Sequence, residues 1–365
     1  MLLIGSAHGR RATLLRAALH ARGARLAVIE WRDLLTHEDS VEQELHAARA
    51  TDHVWCKVDP PGEDSAVTDA LITRGWRLSG SDWPAPQPLS YGELSFQHWR
   101  FAGFADVLRR LERQFETLRL INPVHDILAM CDKLACQSHL LQWGVPVPEL
   151  IGEVRSLDEL DEHCPARLFP AVFVKARFGS SAAGVIALRR HPDGRAVAYT
   201  SARIDGGGRI FNHLKVSRYI QRESIALLLE KLAVQGAYAE RWIPKPRVPA
   251  DRSACYDLRV VAACGKARQR VARISRSPMT NLHLGNRRAS PDWLSDSQTL
   301  ALEHATARAA GAFANSRSIG FDVNLHDCTS YIFEANAFGD LLPGLQYSTA
   351  TTYDDQASWV SADER

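Results

Sequence analysis

The first hundred residues alternate between short apolar runs and amphipathic segments, and this alternation restricts the fold more than any other feature. Residues 2–5 (LLIG) predict a buried strand, ATLLRAALHARG predicts a helix that ends at Gly23, and ARLAVIEW predicts a second strand. Such a succession is typical of a parallel sheet covered by helices. HVWCKV predicts a third strand, and AVTDALITRGW and FADVLRRLERQFETL predict helices on either side of a Pro-, Ser- and Trp-rich excursion at 80–98. The sequence therefore predicts an α/β N-terminal domain.

The pattern changes near residue 121. INPVHDILAMCDKLACQSHLLQWG has helical periodicity with a stop at Gly144, and AVFVKAR and GVIALRR then predict strands around the small-residue segment FGSSAAG. SARIDGGGRIFNHLK predicts a surface hairpin or loop, and AYAERWI, YDLRVVAAC and ARQRVARIS predict strands. A helix at 298–314 and two strands around DCTS (SIGFDVNLH and SYIFEANAF) complete the chain. This order predicts a mixed α+β region after the N-terminal domain.

Composition excludes several classes of protein. A chain of 365 residues with 45% hydrophobic residues can form two or three domains. Its net charge of +2 gives no argument for a nucleic-acid partner. The seven cysteines contain no C-x-x-C pair, so they predict reduced thiols rather than a zinc site. No run approaches the ~20 apolar residues that span a bilayer. We expect a soluble cytoplasmic protein without a membrane partner.

Three oxygen-bearing side chains lie close together near the end of the chain. Glu334 and Asn336 are two residues apart, so on a strand they point to the same face, and Asp322 lies on the preceding strand. If the two strands are antiparallel neighbours, the three side chains converge. Carboxylate and amide oxygens suit Mg²⁺ or Mn²⁺. The alternative is that these groups are solvated at the ends of the strands.

Several basic residues could meet an anion, although each also has a simpler explanation. Lys175 lies in the apolar segment VFVKAR, which directly precedes FGSSAAG, whose small residues allow backbone amides to approach phosphate closely. Lys133 lies in a helix and is a surface residue by default. Asp257 and Arg259 share one face of a strand, as in a surface ion pair. Arg273 precedes an arginine-rich segment, which suits either phosphate or solvent.

The order of these segments is more specific than any one of them. DK…VFVKARFGSSAAG…AERWI…DLRV…TNLHLG…FDV…FEAN resembles the ATP-grasp superfamily, most closely its RimK-like branch, over about residues 121–345. The resemblance implies an α/β N-terminal domain followed by an α+β ATP-grasp module whose two lobes clamp ATP. It divides the chain into the N-terminal domain (1–120), a small lobe with a phosphate lid (121–195) and a large lobe with a metal site (196–365).

The resemblance also implies roles for individual residues. One departure from the family pattern lies at Met279, where RimK-like relatives have an arginine two residues before Asn281. The implied contacts with ATP are Lys133 and Lys175 at the phosphates, Ser180 and Ser181 in the lid, Glu240, Arg241, Trp242 and Ile243 in the hinge strand that reads adenine, Asp257 near the ribose and Asn281 at the triphosphate end. The implied catalytic residues are Arg259 and Arg273, and the implied ligands of Mg²⁺ or Mn²⁺ are Asp322, Glu334 and Asn336.

The resemblance implies an enzyme that uses ATP and Mg²⁺ to activate a carboxylate as an acylphosphate and joins it to an amine, releasing ADP. Its substrates would be small-molecule or peptide carboxylates and amines, and relatives often form homo-oligomers. Two other functions remain open. The same fold and metal site serve kinases, which would leave a stable phosphorylated product. A nucleotide-binding regulatory protein would bind ATP without turnover.

Overall fold

The structure is a computed structural model. It describes residues 1–36, 55–62, 64–114, 118–179, 182–326, 329–339 and 344–362.

The N-terminal domain contains the predicted parallel sheet. Its four strands lie in the order β2-β1-β3-β4, and each neighbouring pair is parallel. The strand–helix–strand prediction is therefore confirmed. The strands are β1 (Leu2–Gly5), β2 (Ala27–Glu30), β3 (Trp55–Val58) and β4 (Arg119–Leu120), and the helices are α1 (Arg10–His20), α2 (Trp31–Thr36), α3 (Ser65–Ser79) and α4 (Gln97–Gln114).

Helices α3 and α4 cross at two glycines. A Cβ atom at Gly75 would lie 1.9 Å from the carbonyl oxygen of Trp99, and one at Gly103 would lie 2.0 Å from that of Leu71. Only glycine allows the two backbones to approach this closely. The contact fixes the rotation of α4, which begins at Gln97 and so earlier than its sequence pattern predicts.

The predicted helix after residue 121 is broken in the structure. Two helices, α5 (Val124–Cys131) and α6 (Lys133–Gln142), meet at Asp132, whose backbone is extended. The side chain of Asp132 accepts a hydrogen bond from the backbone N–H of Ala135 at 3.2 Å, so it caps the second helix. The break places Lys133 at the start of a helix instead of within one.

The second sheet has six strands in the order β5-β10-β6-β7-β8-β9, all of them antiparallel to their neighbours. Its own apolar core includes Val174, Leu188 and Leu229. The predicted hairpin at 200–215 is the β8–β9 hairpin. The elements of this part are β5 (Leu150–Glu153), β6 (Ala171–Ala176), β7 (Ile186–Arg190), β8 (Ala196–Ile204), β9 (Ile210–Tyr219) and β10 (Ala237–Arg241), with helices α7 (Leu157–His163) and α8 (Arg222–Ala233).

The predicted domain boundary after residue 195 falls in the turn between two paired strands of this sheet, β7 and β8. The excursion at 80–98 also contacts the sheet: Glu93 forms a bridge with Phe211, and Leu94 lies in the sheet's core. Grouping the chain by sheets would therefore keep residues 150–241 together.

The third sheet has the order β14-β13-β12-β15-β16, with β11 paired to β12 at its side. Its core is continuous with that of the N-terminal domain, since Ile4, Leu128 and Phe321 belong to one cluster. None of the described helices is long and apolar enough to cross a membrane. The remaining elements are β11 (Arg247–Val248), β12 (Asp251–Ala263), β13 (Lys266–Ser275), β14 (Arg287–Ala289), β15 (Ser318–His326), β16 (Thr329–Asn336), a 3₁₀ turn (Leu282–Leu284), α9 (Asp296–Gly311) and α10 (Thr352–Ala362).

Candidate active site

A cleft separates the second sheet from the third, and most of the predicted site residues line it. The cleft encloses about 100 Å³. This is less than the roughly 300–1,000 Å³ of typical ligand pockets. The predicted residues in its wall are Lys133, Lys175, Glu240, Asp257, Arg273, Asn281, Asp322 and Glu334. The wall also contains Phe173, Gly179, Ala182, Ala183, Val185, Lys245, Pro278, Met279, Thr280 and Phe333.

The two predicted metal-binding carboxylates lie side by side. Asp322 on β15 and Glu334 on β16 are register partners in the antiparallel ladder, as are Gly320 and Asn336. Asn336 donates a hydrogen bond from Nδ2 to the carbonyl oxygen of Gly320 at 3.1 Å. Asn336 thus lies two residues along the same strand from Glu334, although it does not line the cleft.

Two arginines hold Asp322. Arg259, its register partner on β12, donates from Nε to Oδ1, and the guanidinium of Arg273 lies 2.9 Å from Oδ2. Burial of the carboxyl raises its pKa, but the charges of the two arginines outweigh burial and hold the pKa of Asp322 below its usual value. Asp322 is therefore ionised, which a metal ligand requires.

Asp257 is the centre of a second buried network. Arg273 donates two hydrogen bonds to its carboxylate, at 2.8 and 2.9 Å, and Lys245 lies 3.1 Å from Oδ2. Thr280 donates its hydroxyl to the same oxygen and accepts from Lys245 at 2.7 Å. Burial raises the pKa of Asp257, but the nearby charges of Arg273 and Lys245 outweigh it and lower this pKa. Arg273 thus connects Asp257 to Asp322.

The two predicted phosphate lysines face the cleft from different elements, and each pairs with an acid. Lys133 contacts Glu334, and Lys175 lies 2.5 Å from Oε1 of Glu240. Burial lowers the pKa of Lys133, but the charge of Glu334, the hydrogen bond to it and the charge of Asp322 together raise this pKa by more, so Lys133 stays protonated. The cleft therefore contains matched charges.

Arg177 connects the helix that begins at Lys133 with the strand that contains Lys175. It follows Lys175 by two residues and donates to both carboxylate oxygens of Asp132, at 2.9 and 2.7 Å. The carbonyl oxygen of Arg177 accepts the backbone N–H of Lys133 at 3.0 Å. The helix that carries one lysine is thus fixed to the strand that carries the other.

The predicted hinge residues differ in their orientation. Glu240 is buried in the cleft wall, and burial raises its pKa despite the charge of Lys175. Trp242 packs on Phe173 with ring centroids 5.0 Å apart, and Ile243 is buried. Arg241 instead pairs with Glu149 at 2.7 Å. Neither its side chain nor those of Trp242 and Ile243 are among the residues that line the cleft.

One end of the cleft is apolar. Phe173 and Met279 are buried in the same cluster, against which Trp242 and Leu284 pack. Met279 therefore lies near Trp242, the residue that follows β10. Asn281 accepts a hydrogen bond from the backbone N–H of His283 at 2.9 Å and begins the 3₁₀ turn.

Ser180 and Ser181 of the predicted lid lie outside the described residues. On either side of them, Gly179, Ala182 and Ala183 line the cleft. Ala182 has φ +60°, a left-handed conformation that is unusual for alanine. The predicted small-residue segment therefore borders the cleft.

Sequence reasoning missed Lys245 and Thr280 in the Asp257 network. Lys245 stands between two prolines after the hinge strand, where the sequence suggests only an exit from the sheet. A lysine between two prolines, directly after the predicted hinge strand, could have been predicted from the sequence as a site residue. Thr280 and the aromatic walls Phe173 and Phe333 carry no sequence signal of their own.

The donor set suits a magnesium ion. Within the described ranges no group of three or more His, Cys, Asp and Glu side chains could hold a metal. The two carboxylates Asp322 and Glu334 are fewer than such a group requires, and Asn336 does not line the cleft. Mg²⁺ is commonly bound by one or two carboxylates together with substrate phosphates and water. The two carboxylates therefore fit this ion.

The chain has the fold of the ATP-grasp ligases. No family model and no curated protein matches it. Among solved structures, D-cycloserine synthetase DcsG is 12% identical with a TM-score of 0.57, covering 100% of this chain and 99% of its own. The ATP-grasp ligase PsnB in complex with a minimal precursor is 13% identical with a TM-score of 0.55, covering 99% and 98%. D-Alanine–D-alanine ligase from Bacillus anthracis is 12% identical with a TM-score of 0.51, covering 100% and 98%. The predicted fold class, an α/β N-terminal domain followed by an α+β ATP-grasp module, is confirmed.

Proposed function

We propose that the chain is an ATP- and Mg²⁺-dependent ligase that activates a carboxylate as an acylphosphate and joins it to an amine, releasing ADP and phosphate. The observation that carries the proposal is the register pair Asp322–Glu334, which shares one cleft with Lys133, Lys175 and Arg273. Assignment to the RimK-like branch is part of the proposal and is based on the order of the motifs.

Each part of the cleft suits a part of ATP. The apolar end at Phe173 and Met279, beside the hinge strand, suits the nucleobase. Lys133 and Lys175 suit the phosphates, since both ammonium groups face the cleft. Solved structures of PsnB with Mg and ADP and of the Bacillus anthracis ligase with ATP have the same fold. Both are similar to this chain only at the level of the fold.

On binding, ATP and Mg²⁺ would replace the ion pairs that the charged side chains of the cleft now form with each other. The lysines pair with Glu334 and Glu240, and the arginines pair with Asp322. Phosphates would take over the lysines and Arg273, while Mg²⁺, or Mn²⁺ in its place, would be held by Asp322, Glu334 and Asn336. When bound, the ion supplies positive charge that stabilises the transferring phosphoryl group. Because Mg²⁺ enters with the phosphates, it offsets part of their negative charge.

The reaction needs no nucleophile from the protein. An oxygen of the substrate carboxylate attacks the γ-phosphorus of ATP, and the bond to ADP breaks. The amine then attacks the carbonyl carbon, phosphate leaves, and the amine loses a proton. Lys133, Lys175 and Arg273 contribute fixed positive charge where charge develops on the phosphoryl oxygens. Arg259 positions Asp322 through its hydrogen bond.

The lobes would separate to admit the nucleotide. A cleft of about 100 Å³ is too small for ATP, and the second sheet has a core of its own. Opening would therefore not disturb the core shared by the N-terminal domain and the third sheet. Closing would exclude water from the acylphosphate, which water would otherwise hydrolyse.

The carboxylate and the amine would be a small molecule or a peptide. The similar structures include a ligase bound to a precursor peptide and a D-cycloserine synthetase, so the fold does not decide between them. The cysteines that the structure describes are free thiols, which supports the proposed cytoplasmic location. A homo-oligomer is also proposed from the resemblance, and light scattering would measure it.

The test is release of ADP from Mg·ATP with a panel of acids and amines. We expect ADP and free phosphate only when an acid and an amine are both present, with a new amide in equal amount. The matched control is Glu334→Gln, which removes one carboxylate and keeps the size of the side chain. A kinase would give ADP and a phosphorylated product without free phosphate. AMP and pyrophosphate would refute the proposal.

A further inference from the structure

Another cavity, the distal cavity, lies at the opposite end of β7 from the cleft. Arg190, the last residue of β7, lines the distal cavity, whereas Val185, which directly precedes β7, lines the cleft. The five residues of β7 span about 16 Å, at ~3.3 Å per residue. The distal cavity encloses about 340 Å³, which is within the roughly 300–1,000 Å³ of typical ligand pockets. It is therefore large enough for a small ligand of its own.

The wall of the distal cavity is strongly basic. Among the described residues it contains four arginines from four separate segments and a single carboxylate. Like charges repel, so this grouping is favoured when an anion lies among the arginines. The arginines are Arg167 after α7, Arg190 at the end of β7, Arg195 before β8 and Arg222 at the start of α8, and the carboxylate belongs to Asp161.

Arg190 is the most buried of these arginines, and one of its donors is unused. Its side chain is 2% exposed, and Nη1 donates to Oδ1 of Asp161 at 2.7 Å and to the carbonyl oxygen of Leu160 at 3.2 Å. Nη2 donates to the carbonyl oxygen of Phe169 at 3.0 Å and contacts the sulfur of Cys164 at 3.4 Å. The remaining N–H, on Nε, is shielded from solvent and has no acceptor among the described residues. A buried donor without an acceptor is costly, so the wall of the cavity lacks an acceptor that a ligand can supply.

The single carboxylate of the wall is shared between two arginines. Oδ2 of Asp161 accepts from Arg222 at 2.8 Å, while Oδ1 accepts from Arg190. Arg222 also pairs with Asp158, whose side chain is largely exposed. Arg222 begins α8, and the N-cap residue Gln221 makes no side-chain hydrogen bond to the first turn. The positive end of the helix dipole therefore adds to the attraction for an anion.

The two remaining arginines are available to a ligand. Arg195 pairs with Asp193 at 2.7 Å, and both side chains are exposed, so this pair contributes little to stability. Arg167 is exposed and forms no hydrogen bond or ion pair with any residue that the structure describes. An anion in the distal cavity would give both guanidinium groups a partner.

We propose that the distal cavity binds a phosphate group, either as free phosphate or as part of a small phosphorylated molecule. A phosphate has several terminal oxygens in a tetrahedral arrangement, so guanidinium groups from separate segments can each donate to it. A planar carboxylate has only two oxygens and would leave some of these donors unused. The site shares no residue with the cleft and does not depend on the proposed ligase function.

The test is calorimetric titration of the full chain with inorganic phosphate, at constant ionic strength. We expect one saturable site in the wild type and binding weakened about tenfold or more in the double variant Arg167→Met/Arg195→Met. The matched control is Arg155→Met/Arg218→Met, which removes two exposed arginines outside the cavity wall and should bind within about twofold of the wild type. Lys175→Met, which alters the cleft, should also keep this site.

Three results would overturn the proposal. The first is the absence of saturable phosphate binding by the wild type. The second is an equal loss of affinity in the control variant, since this would be an effect of total charge alone. The third is a loss in Lys175→Met with full binding in the double variant, which would place the phosphate in the cleft.

Two further probes define the ligand. Malonate should bind about tenfold more weakly than phosphate, and equal affinity would overturn the assignment to phosphate. Glycerol 3-phosphate separates the two sources of the group: tighter binding than that of free phosphate would indicate a phosphorylated small molecule, and weaker binding would indicate free phosphate. Either order supports the site.

Thermal unfolding separates lost binding from a lost fold. The double variant should unfold near the midpoint of the wild type, because both substituted side chains are exposed. Added phosphate should raise the midpoint of the wild type and leave that of the double variant unchanged. If the double variant is destabilised, Arg167→Met alone decides the question, since Arg167 has no partner to lose among the described residues. Unchanged phosphate affinity in that variant would then overturn the proposal.

Discussion

The two neighbouring carboxylates of the metal site should differ in what their removal does to the fold. Asp322 is 8% exposed in its side chain and is held by two buried arginines, whereas Glu334 is 30% exposed and pairs with Lys133 alone. Removing one partner of a buried ion pair costs roughly 3–5 kcal/mol. The Lys133–Glu334 pair is less deeply buried, with side chains 14% and 30% exposed, so removing one of its partners costs less. We therefore expect Asp322→Asn to be destabilised by several kcal/mol and Glu334→Gln to be destabilised clearly less.

Nucleotide binding should respond differently. Both variants should lose the Mg²⁺-dependent part of the affinity for ATP, because each removes one carboxylate of the proposed site. Urea unfolding in EDTA gives the stability, and calorimetric titration with AMP-PNP, with and without Mg²⁺, gives the binding. The matched control is Asp327→Asn, which removes an acid that lies between the two strands in the sequence. Equal destabilisation of the two variants, or unchanged Mg²⁺ dependence in Glu334→Gln, would refute the reasoning.

Three further predictions concern other residues. Lys245→Met should weaken ATP binding about tenfold, because Lys245 lines the cleft; titration with AMP-PNP checks this, and an unchanged affinity would mean that Lys245 only braces Asp257. The folded-state pKa of Asp257 is lowered, so its contribution to stability is complete above the unfolded value of about 3.9 and is lost as the pH falls through the folded value. Asp257→Asn should therefore show a weaker dependence of stability on pH below about 4, measured by urea unfolding from pH 2 to 7, and a dependence equal to the wild type would contradict this. Gly103→Ala should lower the midpoint of thermal unfolding, because its Cβ would lie 2.0 Å from the carbonyl oxygen of Leu71. The control is Gly62→Ala, which should cost only the strain of a positive φ, because nothing lies within 4 Å of the added Cβ. Equal midpoints of the two variants would contradict the close crossing of the helices.

The features predicted from sequence are those set by local periodicity. The strand–helix–strand opening follows from apolar spacing over a few residues. The pair Asp322 and Glu334 was predicted because side chains on a strand alternate with a period of two and the two strands are close in sequence. Both features need little knowledge of the rest of the chain.

The features that were missed depend on distant partners. The break at Asp132 depends on Arg177, 45 residues later, which holds the capping carboxylate. The sequence pattern of residues 80–98 predicts an isolated loop, yet Glu93 forms an antiparallel β-bridge with Phe211. The direction of Arg241, away from the cleft, likewise depends on Glu149.

The transfer of an oxygen atom tests the central claim most directly. If the carboxylate attacks the γ-phosphorus of ATP, one carboxylate oxygen must leave with the phosphate when the amide forms. An acid substrate labelled with ¹⁸O in its carboxylate, turned over with Mg·ATP and an amine, should yield phosphate that carries one ¹⁸O atom, with ADP as the nucleotide product. Unlabelled phosphate, or label in AMP, would contradict carboxylate activation by γ-phosphoryl transfer.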